Sequence, residues 1–256
     1  MTTQPSLRTE NLTIRFGGHA AVYGVTCAFH PGELTVIVGP NGAGKTTWFN
    51  LVSGQLLPTE GRVFKGEEEI GRLSPSARAR AGIGRAFQLT NLFPQLSVRE
   101  NVRLAVQARE GIGFRLFSRT SSFRHVIAEA DEYLERTRLA SVADLPASAL
   151  PHGDQRKLEV ALLLAMKPDI FMFDEPTAGM SHDEAPVILE LIAEIKKDVS
   201  KTILLVEHKM DVVRALADRI VVLHNGELVA DGDPAEVMAL PIVREIYLGV
   251  GEEDAA

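Results

Sequence analysis

Apolar residues in this chain fall first into short continuous or alternating runs. Leu12–Phe16, Val22–Phe29, Leu34–Val38, Arg62–Phe64, Ile170–Phe173, Ile203–Val206 and Ile220–His224 read as strands. Several are unbroken, the pattern of strands covered on both faces by helices. Helical stretches separate many of them, and their starts carry readable caps. Ser97-x-x-Glu100 and Ser181-x-x-Glu184 have the spacing of capping boxes, while Ser74-Pro75 and Asp233-Pro234 put a capping side chain ahead of a proline at the first helical position. Strands alternating with helices predict a mainly parallel α/β sheet.

Two stretches depart from that rhythm. Near the N-terminus strands follow one another with no helix between them, which predicts an antiparallel β layer leading into the core. Asn225-Gly226 marks a later hairpin turn. From about Leu89 to Leu150 only helical periodicity appears, over Val98–Arg109 and Phe123–Arg138, with the loop Gly111–Ser122 between. The organisation expected is an α/β core formed by 1–88 and 151–256, the latter ending in a helical extension, with an all-helical inserted subdomain at 89–150. Only Gly251–Ala256 reads as unstructured.

Composition narrows the class of protein. The 256 residues are 45% hydrophobic and 24% charged, ordinary values for a globular chain. A formal charge of −7 argues against a partner made of nucleic acid. The one cysteine, Cys27, alternates with Val25 and Phe29 and reads as a small buried hydrophobe. Met1–Arg15 lacks the apolar region of an export signal, and the longest apolar run, Val160–Met166, is too short to span a bilayer. A membrane role would therefore come through a partner.

The most specific chemistry lies at Gly39-Pro40-Asn41-Gly42-Ala43-Gly44-Lys45-Thr46, which follows the apolar strand Leu34–Val38 and opens a helix through Thr47. Glycines let backbone N–H groups turn in around phosphate oxygens, the helix N-terminus adds its positive end, Lys45 supplies a point charge and Thr46 offers a hydroxyl to Mg²⁺. A second strand ends in Asp174-Glu175, at the carboxyl edge where such sheets hold ligands. With a phosphate loop in the same chain, Asp174 becomes a candidate for the Mg²⁺ shell and Glu175 for the base that polarises the attacking water. Gln88 and His208, each at a boundary of an apolar segment, are weak signals singly. Leu150-Pro151-His152-Gly153-Asp154 feeds a helix and forms a second candidate anion site.

In this order and spacing the segments resemble the ATP-binding-cassette family, over nearly the whole chain. The resemblance implies a P-loop ATPase whose cofactors are ATP and Mg²⁺. It makes Phe16 the aromatic that stacks on adenine, Gly39 to Thr47 the phosphate wrap, Gln88 the residue that senses Mg²⁺ and couples to a membrane subunit, Glu175 the base and His208 the γ-phosphate contact. It implies head-to-tail pairing with a second cassette, each nucleotide lying between one phosphate loop and the partner's signature segment. That segment usually reads Leu-Ser-Gly-Gly-Gln, so here Pro151 replaces a serine, and His152 and Asp154 replace glycine and glutamine. A proline donates neither O–H nor N–H, so unequal sites and an unlike partner cassette are expected.

Gly82–Gln88, Thr177–Ser181 and Val243–Gly249 resemble the subset serving branched-chain amino-acid and urea importers. That implies two permease subunits, an external solute-binding protein and a place on the cytoplasmic face of the membrane. The alternatives are a urea or amide importer and a lipid or lipopolysaccharide exporter. An ABC-type ATPase of DNA repair would carry a coiled coil or a second cassette, and a kinase or GTPase would leave Gln88 and His208 without roles.

Overall fold

The computed structural model describes residues 4–86, 92–112, 121–181 and 183–248. The chain divides into two compact units, one formed by Met1–Ile83, Asp169–Glu175 and Lys196–Ala256, the other by Gly84–Pro168 and Pro176–Ile195.

The first unit contains the expected antiparallel layer. Strands β1 (Leu7–Phe16), β2 (His19–Phe29), β4 (Glu60–Lys65) and β5 (Glu68–Glu69) form a four-stranded sheet in the order β2-β1-β4-β5. The other sheet has the order β10-β9-β3-β8-β7-β6, from β3 (Leu34–Val38), β6 (Ile83–Ala86), β7 (Ile170–Asp174), β8 (Thr202–Val206), β9 (Arg219–His224) and β10 (Glu227–Gly232). Its centre is parallel, with β3 bonded to both β8 and β9 and β7 bonded to β8. Every residue of β3, β7 and β8 is buried, which is why their sequences are unbroken apolar runs. β9 and β10 close a hairpin in which His224 pairs with Glu227 around Asn225 (φ 49°) and Gly226 (φ 80°), a two-residue turn with both central residues left-handed.

The core between the two sheets packs Leu12, Phe29, Trp48, Phe49, Met172 and Val206, among others. Cys27 belongs to it, and burial pushes its thiol up to about 12, so the sulfur packs as a hydrophobe. Helix α1 (Lys45–Ser53) leads from the glycine loop into this core. Its C-terminus is held by the fully buried Arg78 of α2 (Pro75–Arg80), which donates to the carbonyls of Leu51, Val52, Gly71 and Leu73. A guanidinium suits this place, because its five donors satisfy carbonyls that a helix end leaves unpaired. Helices α7 (Met210–Leu216), α8 (Pro234–Ala239) and α9 (Pro241–Leu248) complete the unit.

In the second unit α3 (Val98–Arg109), α4 (Ser121–Arg136) and α5 (His152–Met166) pack together, joined by α6 (Ala185–Lys196) through Ile195. The unit is wider than 89–150 because α5 packs on α3 and α4. Ser97 caps α3 as its sequence predicts, accepting from the Glu100 amide. Arg109, Lys167, Tyr133 and Glu129 form a charged cluster, and the Arg109 guanidinium, ahead of Lys167 and Tyr133, holds the Glu129 carboxyl down to about 2. No helix among the described residues is long and apolar enough to cross a membrane.

Candidate nucleotide site

The glycine loop joins β3 to α1, so the amides of α1's first turn lie at the carboxyl edge of the parallel sheet. Two of its glycines are required by crowding. A Cβ on Gly39 (φ 150°) would collide with the Leu223 carbonyl oxygen, and one on Gly44 (φ 94°) would sit 2.5 Å from the Ala21 carbonyl oxygen. The loop is thus braced by β9 and β2. Together with His19, Ala21 and Glu175, residues 41–47 line a concave site of about 200 Å³.

Lys45 is 6% exposed, and its ammonium donates to the carbonyls of Gly39 (2.7 Å) and Pro40 (2.9 Å). Burial lowers its pKa, while the charges of Glu175 and Asp174 pull the other way. The ammonium is thus held by neutral carbonyls, partners that an incoming phosphate oxygen can displace.

Asp174 ends β7 and stays buried. Glu175 continues the ladder with its N–H bonded to the Val206 carbonyl at 3.0 Å, yet its φ is 50°. A left-handed glutamate costs on the order of 1 kcal/mol or more and is held by its surroundings. Here that turn carries the side chain out of the strand to the pocket, where its Oε1 meets His208 Nε2 at 2.7 Å. His208 follows β8, whose register beside β7 sets the two residues near each other.

Phe16 ends β1, 53% exposed, and is not among the residues lining the pocket; its cross-strand partner His19 is. Gln88, the loop at 113–120 and His182 lie outside the described residues. The structure thus brings Lys45, Thr46, Thr47 and Glu175 together in one cavity, with His208 against Glu175. The sequence reading missed His19 and Ala21, which line the same cavity.

In the second unit Pro151 is the N-cap residue of α5, one place before the first turn, and supplies no side-chain cap. His152 and Asp154 lie in the first turn, where Asp154 pairs with Lys157 at 2.8 Å. Gly153 is buried because the Glu184 carboxylate lies against it, where a Cβ would collide. Glu184 also accepts from the hydroxyl and amide of Ser181, which holds its carboxyl below the usual range.

A glycine-wrapped helix start, a buried lysine and a strand-end Asp-Glu at one sheet edge define a P-loop nucleoside-triphosphate-hydrolysing protein. The profile of the ABC transporter family matches residues 22–178. The high-affinity branched-chain amino acid transport ATP-binding protein LivG of Escherichia coli (strain K12) is 40% identical over 254 residues, 96% of this chain and 99% of that protein. The ATP-binding protein BraF of Pseudomonas aeruginosa, carrying the same transport description, is 38% identical over 253 residues, covering 96% and 99%. Among solved structures, a nucleotide-free ATP-binding cassette from an ABC transporter superposes with a TM-score of 0.79 at 28% identity, covering 95% of this chain and 98% of that one. A dimeric cassette in a post-hydrolysis state bound to ADP and Pi superposes at 0.76 with 27% identity, covering 89% and 98%. The chain belongs to the ABC transporter family and is an ATP-hydrolysing cassette of that family.

Proposed function

We propose that this cassette powers an importer of branched-chain or other hydrophobic amino acids, working with a second, distinct cassette and two permease subunits, and through them with an external solute-binding protein. The permeases would hold it at the cytoplasmic face of the membrane. The observation that carries this reading is the 40% identity that extends over 96% of the chain, well past the site itself, to a branched-chain amino acid transport ATP-binding protein. Phe93 and Leu96, both exposed, follow the position of Gln88 and would receive a short cytoplasmic helix of a permease.

The site residues divide the work. Amides of Gly39 to Thr47 wrap the polyphosphate, and Lys45 exchanges its two carbonyl partners for phosphate oxygens. Phe16 stacks on the adenine. Thr46, Asp174 and Gln88 offer the hard oxygen ligands that suit Mg²⁺, and the buried Asp174 near Lys45 fits that role. Bound there, the ion would neutralise phosphate charge. Glu175 takes the proton of the attacking water, which needs its side chain free of the strand, as φ 50° makes it. His208, now against Glu175, holds the γ-phosphate. Pro151 to Asp154 face the nucleotide of the partner cassette, where the missing serine leaves that site one or two hydrogen bonds poorer. Because ATP bridges two chains and ADP does not, differential affinity for the closed pair drives the permeases.

The assembly is tested by purifying the protein from its own membranes in mild detergent. Two membrane subunits and a second cassette should accompany it, and its deletion should abolish leucine uptake. Recovery of a lone soluble homodimer, or of nucleic acid, would refute the importer.

A further inference from the structure

The hairpin that carries Phe16 also brings an ionisable side chain to the phosphate pocket. His19 is exposed at the start of β2 and lines the cavity with residues 41–47 and Glu175. Its position has a local cause. A two-residue turn, Gly17-Gly18, joins β1 to β2 and makes Phe16 and His19 direct cross-strand partners, whose side chains share a face. Pairing then slips from Arg15 with Ala20 to Ile14 with Val22, leaving Ala21 as an extra residue. Such a bulge bends its strand and re-aims the side chains beside it. The bend lays the Ala21 carbonyl against the P-loop and the β9–β10 turn, so close that a Cβ on Gly44 or Gly226 would sit 2.5 or 2.8 Å from it. His19 is thereby placed beside its partner Phe16 and lines the pocket with the glycine loop.

The side chains around it leave a role for another phosphate donor. Among the described residues lining the pocket, Lys45 is the only other basic one, and it also faces Asp174 and Glu175. His208 is engaged by Glu175. On the flanking elements, Arg15 stacks over Tyr23 and His224 is engaged by Asn225. We propose that His19 donates a ring N–H to the inner phosphates of the nucleotide, between the base on Phe16 and the outer phosphates on Lys45. This rests on the nucleotide reading of the pocket and adds a contact that the glycine loop does not contain.

ADP is the suitable probe because it lacks the γ-phosphate assigned to His208. Calorimetric titration of the full chain gives the ratio of Kd for His19→Ala to wild type, which should be about 10, the worth of one hydrogen bond to a charged phosphate. His19→Lys, which keeps a donor at the same place, should bind ADP within about threefold of wild type. A ratio near 1 for His19→Ala would overturn the role of His19 while leaving the nucleotide site intact. Failure of wild type to bind ADP would overturn both.

Discussion

Lys45 is bonded to two backbone carbonyls at 2.7 and 2.9 Å and has two carboxylates nearby. Replacing it with methionine keeps the apolar stem and removes the charge. ATP affinity should then fall by about 10- to 100-fold, the value of one or two charge-assisted hydrogen bonds, with the fold retained by circular dichroism. The lysine was legible in the sequence because a P-loop is a local device whose glycine spacing follows from wrapping a phosphate. Glu175 was legible for a related reason, since a strand end fixes its place. Its left-handed backbone was not, for that depends on the neighbouring strand holding its amide. His19 was missed because a single histidine after two glycines has no diagnostic spacing. Only the bulge at Ala21 and the packing of β2 on the loop show what it faces.

At the scale of elements, the strands read from unbroken apolar runs recur within a residue or two, and β3 and α3 have the limits expected. β5, β6 and β10 were not read, because Glu68–Glu69, Ile83–Ala86 and Glu227–Gly232 show no alternation and join their sheets through backbone pairing. The box at Ser181 also differs from its sequence form. Its hydroxyl donates to Glu184 and α6 begins at Ala185, so the pair fastens a turn ahead of the helix. Two charged side chains give stability predictions here. Arg78→Met removes the donor from two carbonyls at the end of α1 and two in the turn before α2, and should cost about 2–4 kcal/mol in urea unfolding. Glu129 is held at about 2 against 4.5 for the free carboxyl. Its depressed folded-state pKa makes its contribution, on the order of 3 kcal/mol, fully present above pH 4.5 and lost as the pH falls toward 2. Glu129→Gln should therefore be less stable than wild type at pH 6, with the gap closing between pH 4.5 and about pH 2.

For the whole molecule, the sequence carried the α/β core, the antiparallel layer and the helical insert, because each has its own hydrophobic period. It could not show that α5 and α6 cluster with the insert, since both also read as helices of the core. The signature segment has its consequence at this scale. α5 begins at an uncapped proline, so Pro151→Ser should restore a hydroxyl to the partner's nucleotide and raise the ATPase rate of the assembled transporter severalfold; an unchanged rate and cooperativity would reject unequal sites. The central claim, that one pocket binds and hydrolyses ATP with Glu175 as base, is tested most directly by Glu175→Gln. Equilibrium binding and steady-state turnover of ATP are measured on the same preparation. ATP affinity should stay within about threefold of wild type while kcat falls by about 100-fold or more, the loss of a general base. Turnover that persists at the wild-type rate would contradict the account.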